Sequence, residues 1–513
     1  MDLLAVSNVY KDAFTLVFQW DVLLVIVVAA VYGTMVGAVP GLTATMAVAL
    51  LVPMTFYMTD VQAIAAIVTA VTCSIFAGDI PSVLIRIPGT PASAAYAADG
   101  YALTQRGKHV LALSVCIWFS VAGGLLGTLA LATAAPMLAR VATQFTSYEY
   151  FWLFTLGLTC AVIVSQGSLL KGALALLLGL LISSIGLGTD FSVPRLTFGN
   201  DQLIAGISFI PAMIGLFGIS EVLRNALAIE GDEGEIRSPL ATESIGEVFR
   251  AEVLPLLWRR KFHLLRSSSI GAFIGLLPGA GADIAAWISY AVSKRLSKVP
   301  EQYGHGSIEG MADGTGANNA ALGGAWIPAL VFGIPGDSVT AIAIGVLMMK
   351  NITPGPKIFD GTANPHQAAL VASIYIIFVL SNLILIPVGM AAIRAGTILI
   401  RIPRRVLLPM IVVFCTIGSY SMSASYFDVW VMLVMGLLGF VLEKWKFPLG
   451  PIVLGLIMGG PMEHRLMQCL SKSTSITSFF SSPISLGIGL TCVLLWLMPL
   501  FMPKRPSLPP SAP

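Results

Sequence analysis

Two stretches of the chain place hydroxyl, amide and carboxyl side chains beside Pro-Gly pairs within otherwise apolar sequence. The first is IRIPGTPASAAYAADGY, residues 85–101, where Thr90 and Ser93 follow Pro88 and Gly89. The second is GTGANNAALGGAWIPALVFGIPGDS, residues 314–338, where Asn318 and Asn319 precede one break and Asp337 and Ser338 follow Pro335 and Gly336. Proline stops an incoming helix, glycine permits φ above zero, and a small hydroxyl residue suits the start of the next helix. Such a start presents unpaired N–H groups and the positive end of the helix dipole, a ready site for a carboxylate. The simpler alternative is a tight turn capped by Thr, Ser or Asp with no ligand. Occurrence of the break in both halves of the chain favours binding.

Asp79, Arg86, Asp283, Asp313 and Asp337 lie in or beside apolar runs, where a charge calls for a partner, a cavity or a function. Arg86 could bind a substrate carboxylate in a bidentate manner or pair with Asp79. Asp283 and Asp337 could accept a proton or coordinate a sodium ion, or could cap a helix. The substrate-binding candidates are Gly41, Thr43, Arg86, Pro88, Gly89, Thr90, Ser93, Gly279, Asn318, Asn319, Gly336 and Ser338. Asp283, Asn318 and Asp337 are the candidates for ion coupling, with Na+ or H+ as the ion and no other metal or cofactor expected.

The elements that must hold these residues follow from composition, since 56% hydrophobic and 11% charged residues cannot clothe a soluble globule. Apolar stretches lie near 22–57, 61–79, 110–139, 150–188, 202–220, 267–292, 319–349, 367–400, 406–442, 447–461 and 483–502. At roughly 20 residues per span, and with several stretches holding two, they predict about 10 to 14 crossings. The runs are apolar all round, unlike the alternating strands of a membrane barrel. The expected fold is an all-α polytopic membrane protein with two inverted repeats and broken or re-entrant helices. A net charge of +3 without a basic, aromatic-studded stripe gives no sign of a nucleic-acid partner. The six cysteines stand singly without metal spacing and read as small core residues. Residues 1–21 lack a cleavable signal pattern, so the first membrane helix should serve as the targeting signal.

A polar interruption at 222–266 divides the chain into repeat 1 (1–221) and repeat 2 (267–502), with a Pro-rich tail at 503–513 expected to be disordered. The part from Ile245 to Leu265 suits an amphipathic helix in the membrane interface. Gly33, Gly37, Pro40 and Gly41 correspond to Gly271, Gly275, Pro278 and Gly279 at an offset of 238. Pro81, Pro88 and Gly89 correspond to Pro328, Pro335 and Gly336 at an offset of 247. Two anchors in the same order point to a duplication. The run 267–292 is cut near Pro278 and flanked by Arg266 and by Lys294, Arg295 and Lys298. Both ends should therefore be cytoplasmic, making a hairpin, while the run 22–57, flanked by Asp21 and Asp60, should open on the other face. A single kinked helix in each half is the alternative. Labelling of a single cysteine introduced at Ser238 or Ser297 of a cysteine-free variant, by a membrane-impermeant reagent in spheroplasts, would overturn this topology.

At these residues a resemblance becomes specific. IPGTPASAAYAADGYALTQRGK, GLLPGAGADIAAWISYAVSKR, NNAALGGAWIPALVFGIPGD, PGPKIF, GLGTDFSVPRLTFG and the run from Gly418 to Leu442 resemble, in collinear order over about residues 20–490, the large membrane subunit of the tripartite tricarboxylate transporter family. The resemblance implies a small four-helix membrane subunit and a periplasmic solute-binding receptor as partners. It further implies ion-gradient-driven uptake of tricarboxylates or related organic carboxylates across the bacterial inner (plasma) membrane, by symport and not by an enzyme. The chain departs from the family pattern at Gly314 and Thr315, where a Pro-Glu pair is usual, and at Cys73–Asp79, usually Tyr- and Gly-rich. Those differences leave the carboxylate and the coupling ion open. A membrane-embedded enzyme would need a catalytic constellation, and no GxSxG, HExxH or paired-Asp motif is present. An anion channel is the other alternative, separable from a carrier by counterflow exchange.

Overall fold

The computed structural model describes residues 3–39, 42–165, 168–188, 193–228, 244–399 and 404–501. Pro40, Gly41, most of the polar linker and the Pro-rich tail are outside the described residues. Backbone polar groups at membrane depth must be satisfied within the chain, and the described residues fold almost wholly into helices. In the first half these are α1 (Leu3–Val17), α2 (Trp20–Ala38), α3 (Ala44–Thr55), α4 (Asp60–Ala77), α5 (Asp79–Ile85), α6 (Ala97–Gln105), α7 (His109–Ala142), α8 (Ser147–Val164) and α9 (Leu169–Ser183). Then come α10 (Phe209–Met213), a π-helical stretch Ile214–Ile219 and α11 (Ser220–Ala228), followed by α12 (Ile245–Val248), α13 (Leu254–Arg259) and α14 (Lys261–Leu276). The rest are α15 (Gly281–Leu296), α16 (Ile308–Phe332), α17 (Ser338–Met349), α18 (Pro365–Leu399), α19 (Arg404–Ser423), α20 (Tyr426–Lys444), α21 (Leu449–Lys472) and α22 (Pro483–Phe501). A two-residue antiparallel pairing of Gly186–Leu187 with Pro194–Arg195 is the sheet content of the described residues.

Among the described residues seven helices are long and apolar enough to cross a membrane, and five shorter apolar ones accompany them. The chain is thus an all-α, multi-pass membrane protein. Two of the short helices, α3 and α17, have 12 residues each. That is about 18 Å against a hydrocarbon core of about 30 Å, so each is a half-helix.

The run 267–292 forms a hairpin. Along α14, Gly271 abuts Ala317 and Gly275 abuts Ala321 of α16, numbers rising together. Along α15, Ser297 meets Glu309 and Ser289 meets Asp313, numbers running oppositely. Helices α14 and α15 are therefore antiparallel, and the turn between them holds Gly279 and Gly281 at φ 80° and 64°. The first half closes similarly, with the Tyr32 hydroxyl of α2 donating to the Ala47 carbonyl of α3 at 2.9 Å.

The same backbone approaches occur in both halves. Gly33 abuts Ala70 and Gly37 abuts Ser74 in α4, as Gly271 and Gly275 do in α16, and Gly89 reaches Gly37 as Gly336 reaches Gly275. The Ile87 N–H donates to the Pro81 carbonyl, as the Ile334 N–H does to Pro328. The left-handed residues before the breaks are Arg86 (φ 59°) and Gly333 (φ 70°). Gly89 and Gly336 themselves do not have positive φ. Contrary to the expectation from sequence, these two glycines serve close approach: a Cβ on Gly89 would come within 2.6 Å of the Gly78 Cα, and one on Gly336 within 2.7 Å of the Gly275 carbonyl oxygen.

The amphipathic stretch 245–265 is partly docked, with Phe249 stacked on Trp118 of α7 at 4.1 Å and Val253 buried. Helices α11 and α14 run across positions 221 and 266, the sequence-based limits of the linker. Arg260 bridges Glu309 and Asp313 of α16, and Arg266 reaches Asp313 at 2.6 Å. The cysteines among the described residues are free thiols, five buried and Cys160 partly so.

Candidate functional site

A cavity of about 400 Å³ lies where the breaks of the two halves meet. Its wall is built from matched positions. Thr43, Ala44 and Thr45 at the start of α3 stand with Gly281, Ala282 and Asp283 at the start of α15, related by the offset of 238. Thr90 and Pro91 stand with Asp337 and Ser338, and Val71 and Ile75 of α4 with Asn318 and Leu322 of α16, related by 247. Seven pairs from independent stretches of sequence therefore line one space. The remaining wall, Phe217, Ser220, Glu221, Arg224, Val339 and Glu443, adds the asymmetry.

Local chemistry explains how the breaks hold their shape. After Gly336, Asp337 is the N-cap of α17: its Oδ1 accepts the Thr340 N–H at 2.8 Å while Thr340 Oγ1 accepts the Asp337 N–H at 2.9 Å, a capping box. The first half repeats this with Thr90 and Ser93, each side-chain oxygen accepting the other's N–H at 3.2 Å. Thr43 caps α3 by accepting the Met46 N–H. Three helix starts, those of α3, α15 and α17, thus open on the cavity. The halves are stitched together there, because Asp283 Oδ1 accepts the Ala92 N–H at 3.1 Å, and the Trp287 indole donates to the Pro91 carbonyl at 3.1 Å. The Gly279 N–H donates to the Gly336 carbonyl at 2.8 Å.

The structure brings Thr43, Thr90, Asn318 and Ser338 to the cavity together with Asp283 and Asp337. Asn318 is 1% exposed, and beyond a contact with the Tyr96 hydroxyl its Nδ2 makes no hydrogen bond in the described protein, so its donor capacity is not filled. Ser93, Gly89, Gly279 and Gly336 stand behind the wall and shape it. Asn319 faces elsewhere, its Nδ2 donating to the Ser120 carbonyl at 3.0 Å and lying 3.3 Å from Asn382 Oδ1. Arg86 and Pro88 are exposed and do not line the cavity. Asp79 is bonded to Tyr96, and Gly41 is outside the described residues. Gly314, a departure from the family pattern, leaves room for the Tyr96 ring, which a Cβ would meet at 2.7 Å.

Sequence reading missed Glu221, Arg224 and Glu443, which share one corner of the cavity. Arg224 pairs with Glu221 on the same helix and lies 3.5 Å from Glu443. The available signal was a Glu-x-x-Arg pair at the very end of the 202–220 run, obscured because the charged linker begins there. Formally the wall carries Asp283, Asp337, Glu221 and Glu443 against Arg224. These carboxylates, with the hydroxyls of Thr43, Thr45, Thr90, Ser220 and Ser338 and the Asn318 carbonyl, are among the oxygen donors available to a cation.

Half-helices from two halves meeting on a polar cavity inside a multi-pass bundle are an arrangement that membrane transporters use. Comparison with known proteins is specific. The model of the tripartite tricarboxylate transporter TctA family matches residues 23–454, and the chain belongs to that family. It is 35% identical over 482 residues, 93% of each chain, to an uncharacterised 52.8 kDa protein in the TAR-I ttuC' 3' region of Agrobacterium vitis. It is 39% identical over 240 residues to an uncharacterised protein in the TAR-II ttuC' 3' region of the same organism, covering 46% of this chain and 97% of that one. No solved structure gives a significant match.

Proposed function

We infer that the chain is the translocating subunit of a receptor-dependent, ion-gradient-driven carrier that takes up tricarboxylates or related organic carboxylates across a bacterial inner membrane. Family membership supports the substrate class, and the convergence of the starts of α3, α15 and α17 on one cavity carries the site. In this reading a carboxylate accepts from their free N–H groups and from the incompletely satisfied Asn318 amide, beside the hydroxyls of Thr43, Thr90 and Ser338. Arg224 is the cation positioned to meet a second carboxylate, in place of Arg86. The recurring contacts at 238 and 247 support a duplication, and inversion of the repeats would bring the two breaks together near the bilayer midplane. Four carboxylates against one guanidinium in the wall also favour the coupling, since an anion entering a negative site needs cations to accompany it. The partners are a small four-helix membrane subunit and a periplasmic receptor.

Reconstituted with those partners, the parent should accumulate carboxylate only when receptor and ion gradient are both present. Thr90→Ala and Asn318→Ala should each weaken substrate binding by about 10- to 150-fold, the equivalent of one charge-assisted hydrogen bond, with a stability loss in Thr90→Ala of about 1 kcal/mol from its missing cap. Binding of both variants within about twofold of the parent would move the site elsewhere. Accumulation without a gradient, or without receptor, would remove the corresponding part of the reading.

A further inference from the structure

The carboxyl of Asp79 has no part in the site above. It lies at the start of α5 with none of its surface exposed. Its Oδ1 accepts the Tyr96 hydroxyl at 2.7 Å, and Oδ2 receives no N–H or O–H bond in the described protein. The titratable groups facing it are Tyr96, from the segment leading into α6, and the Cys116 thiol of α7, a weak donor. Among the described residues no cation pairs with it, and Arg86 beyond the same short helix is exposed. An ionised carboxylate with one hydroxyl donor is poorly solvated at that depth, whereas a neutral acid is adequately served. A metal cation would require a shell of oxygens that a carboxyl and one phenol do not supply. The ligand that fits is a proton.

The acid is not isolated from the cavity. The Tyr96 ring packs on Gly314 of α16, one helical turn before Asn318, which places the phenol beside the Asn318 side chain, and Asn318 lines the cavity. Carboxyl, phenol and amide thus run in sequence from a buried acid to the wall. The position matched to Asp79 in the second half, at the offset of 247, is Trp326, a buried core residue packed edge-on to Phe378. An acid is therefore not something this packing arrangement demands.

We propose that Asp79 is a proton-carrying site coupled to the cavity through Tyr96 and Asn318. It holds one proton as the neutral acid at rest, gives that proton up through Tyr96 when the cavity opens inward, and takes another from cavity water when it opens outward, so that one proton enters with each substrate. This rests on the carboxylate-uptake reading, and the test separates the two. In proteoliposomes holding the complete transporter, Asp79→Asn should keep counterflow exchange of labelled carboxylate within about twofold of the parent while losing about tenfold or more of its accumulation under a pH gradient. The infrared spectrum of the purified parent at neutral pH should contain a neutral-carboxyl band that Asp79→Asn lacks. Retained pH-driven accumulation in the variant overturns the proposal, and so does loss of counterflow, which marks a structural role. Absence of the band overturns it whatever the transport result. Failure of the parent to exchange any carboxylate sinks the uptake reading instead, and the band still decides whether Asp79 holds a proton.

Discussion

Replacement of Asp313 by alanine is expected to cost about 3–5 kcal/mol of stability, the usual consequence of removing one partner of a buried ion pair. Asp313 has no exposed side-chain surface and its Oδ2 receives Arg260 at 3.1 Å and Arg266 at 2.6 Å. Arg260 is itself only 8% exposed. Truncation leaves Arg266 without its partner and Arg260 with Glu309 alone, at the junction where the interfacial stretch joins α14 and α16. Asp313→Asn preserves the shape but removes the charge, so it should be destabilised nearly as much. Thermal unfolding in detergent at matched lipid content measures both. A loss below about 1 kcal/mol, typical of exposed pairs, would show that water reaches the arginines.

Gly336→Val is expected to abolish uptake. The first added carbon would lie 2.7 Å from both the Ala325 Cβ and the Gly275 carbonyl oxygen, and neither backbone can turn aside as a side chain would. To fit valine, the α14–α15 hairpin must lift from α16, breaking the 2.8 Å bond between the Gly279 N–H and the Gly336 carbonyl and displacing the start of α15 from the cavity. Gly487→Ala is the control, since nothing lies within 4 Å of its added carbon. Substrate binding by purified Gly336→Val near the parental level would mean that the hairpin can shift without harm.

Much of this site was legible because duplication leaves a numerical trace. The offsets 238 and 247, read from glycines and prolines alone, index all seven matched pairs in the wall. What sequence could not resolve was direction. Asn318 and Asn319 are adjacent and chemically identical, yet neighbours on a helix point about 100° apart; one faces the cavity and the other is engaged with Ser120 and Asn382. Arg86 was attractive for its charge in apolar sequence, but it ends a short helix in the left-handed conformation and its side chain is exposed. Glu221 and Arg224 were hidden by the charged stretch that follows. Helical class followed from composition, whereas the corner made with Glu443 depends on a contact between segments more than 200 residues apart.

The bond from the Ala92 N–H to Asp283 joins residues 191 apart in sequence. A ribosome delivers the first side of the cavity early and the second only after α17 has been made, so the growing chain must hold Thr90 and its capped turn in the bilayer without their facing partners. The capping exchange between Thr90 and Ser93 is local and can form at once. The cavity itself is a late product of synthesis, and a chain released before residue 338 would present membrane quality control with an inserted half that has nothing to close upon.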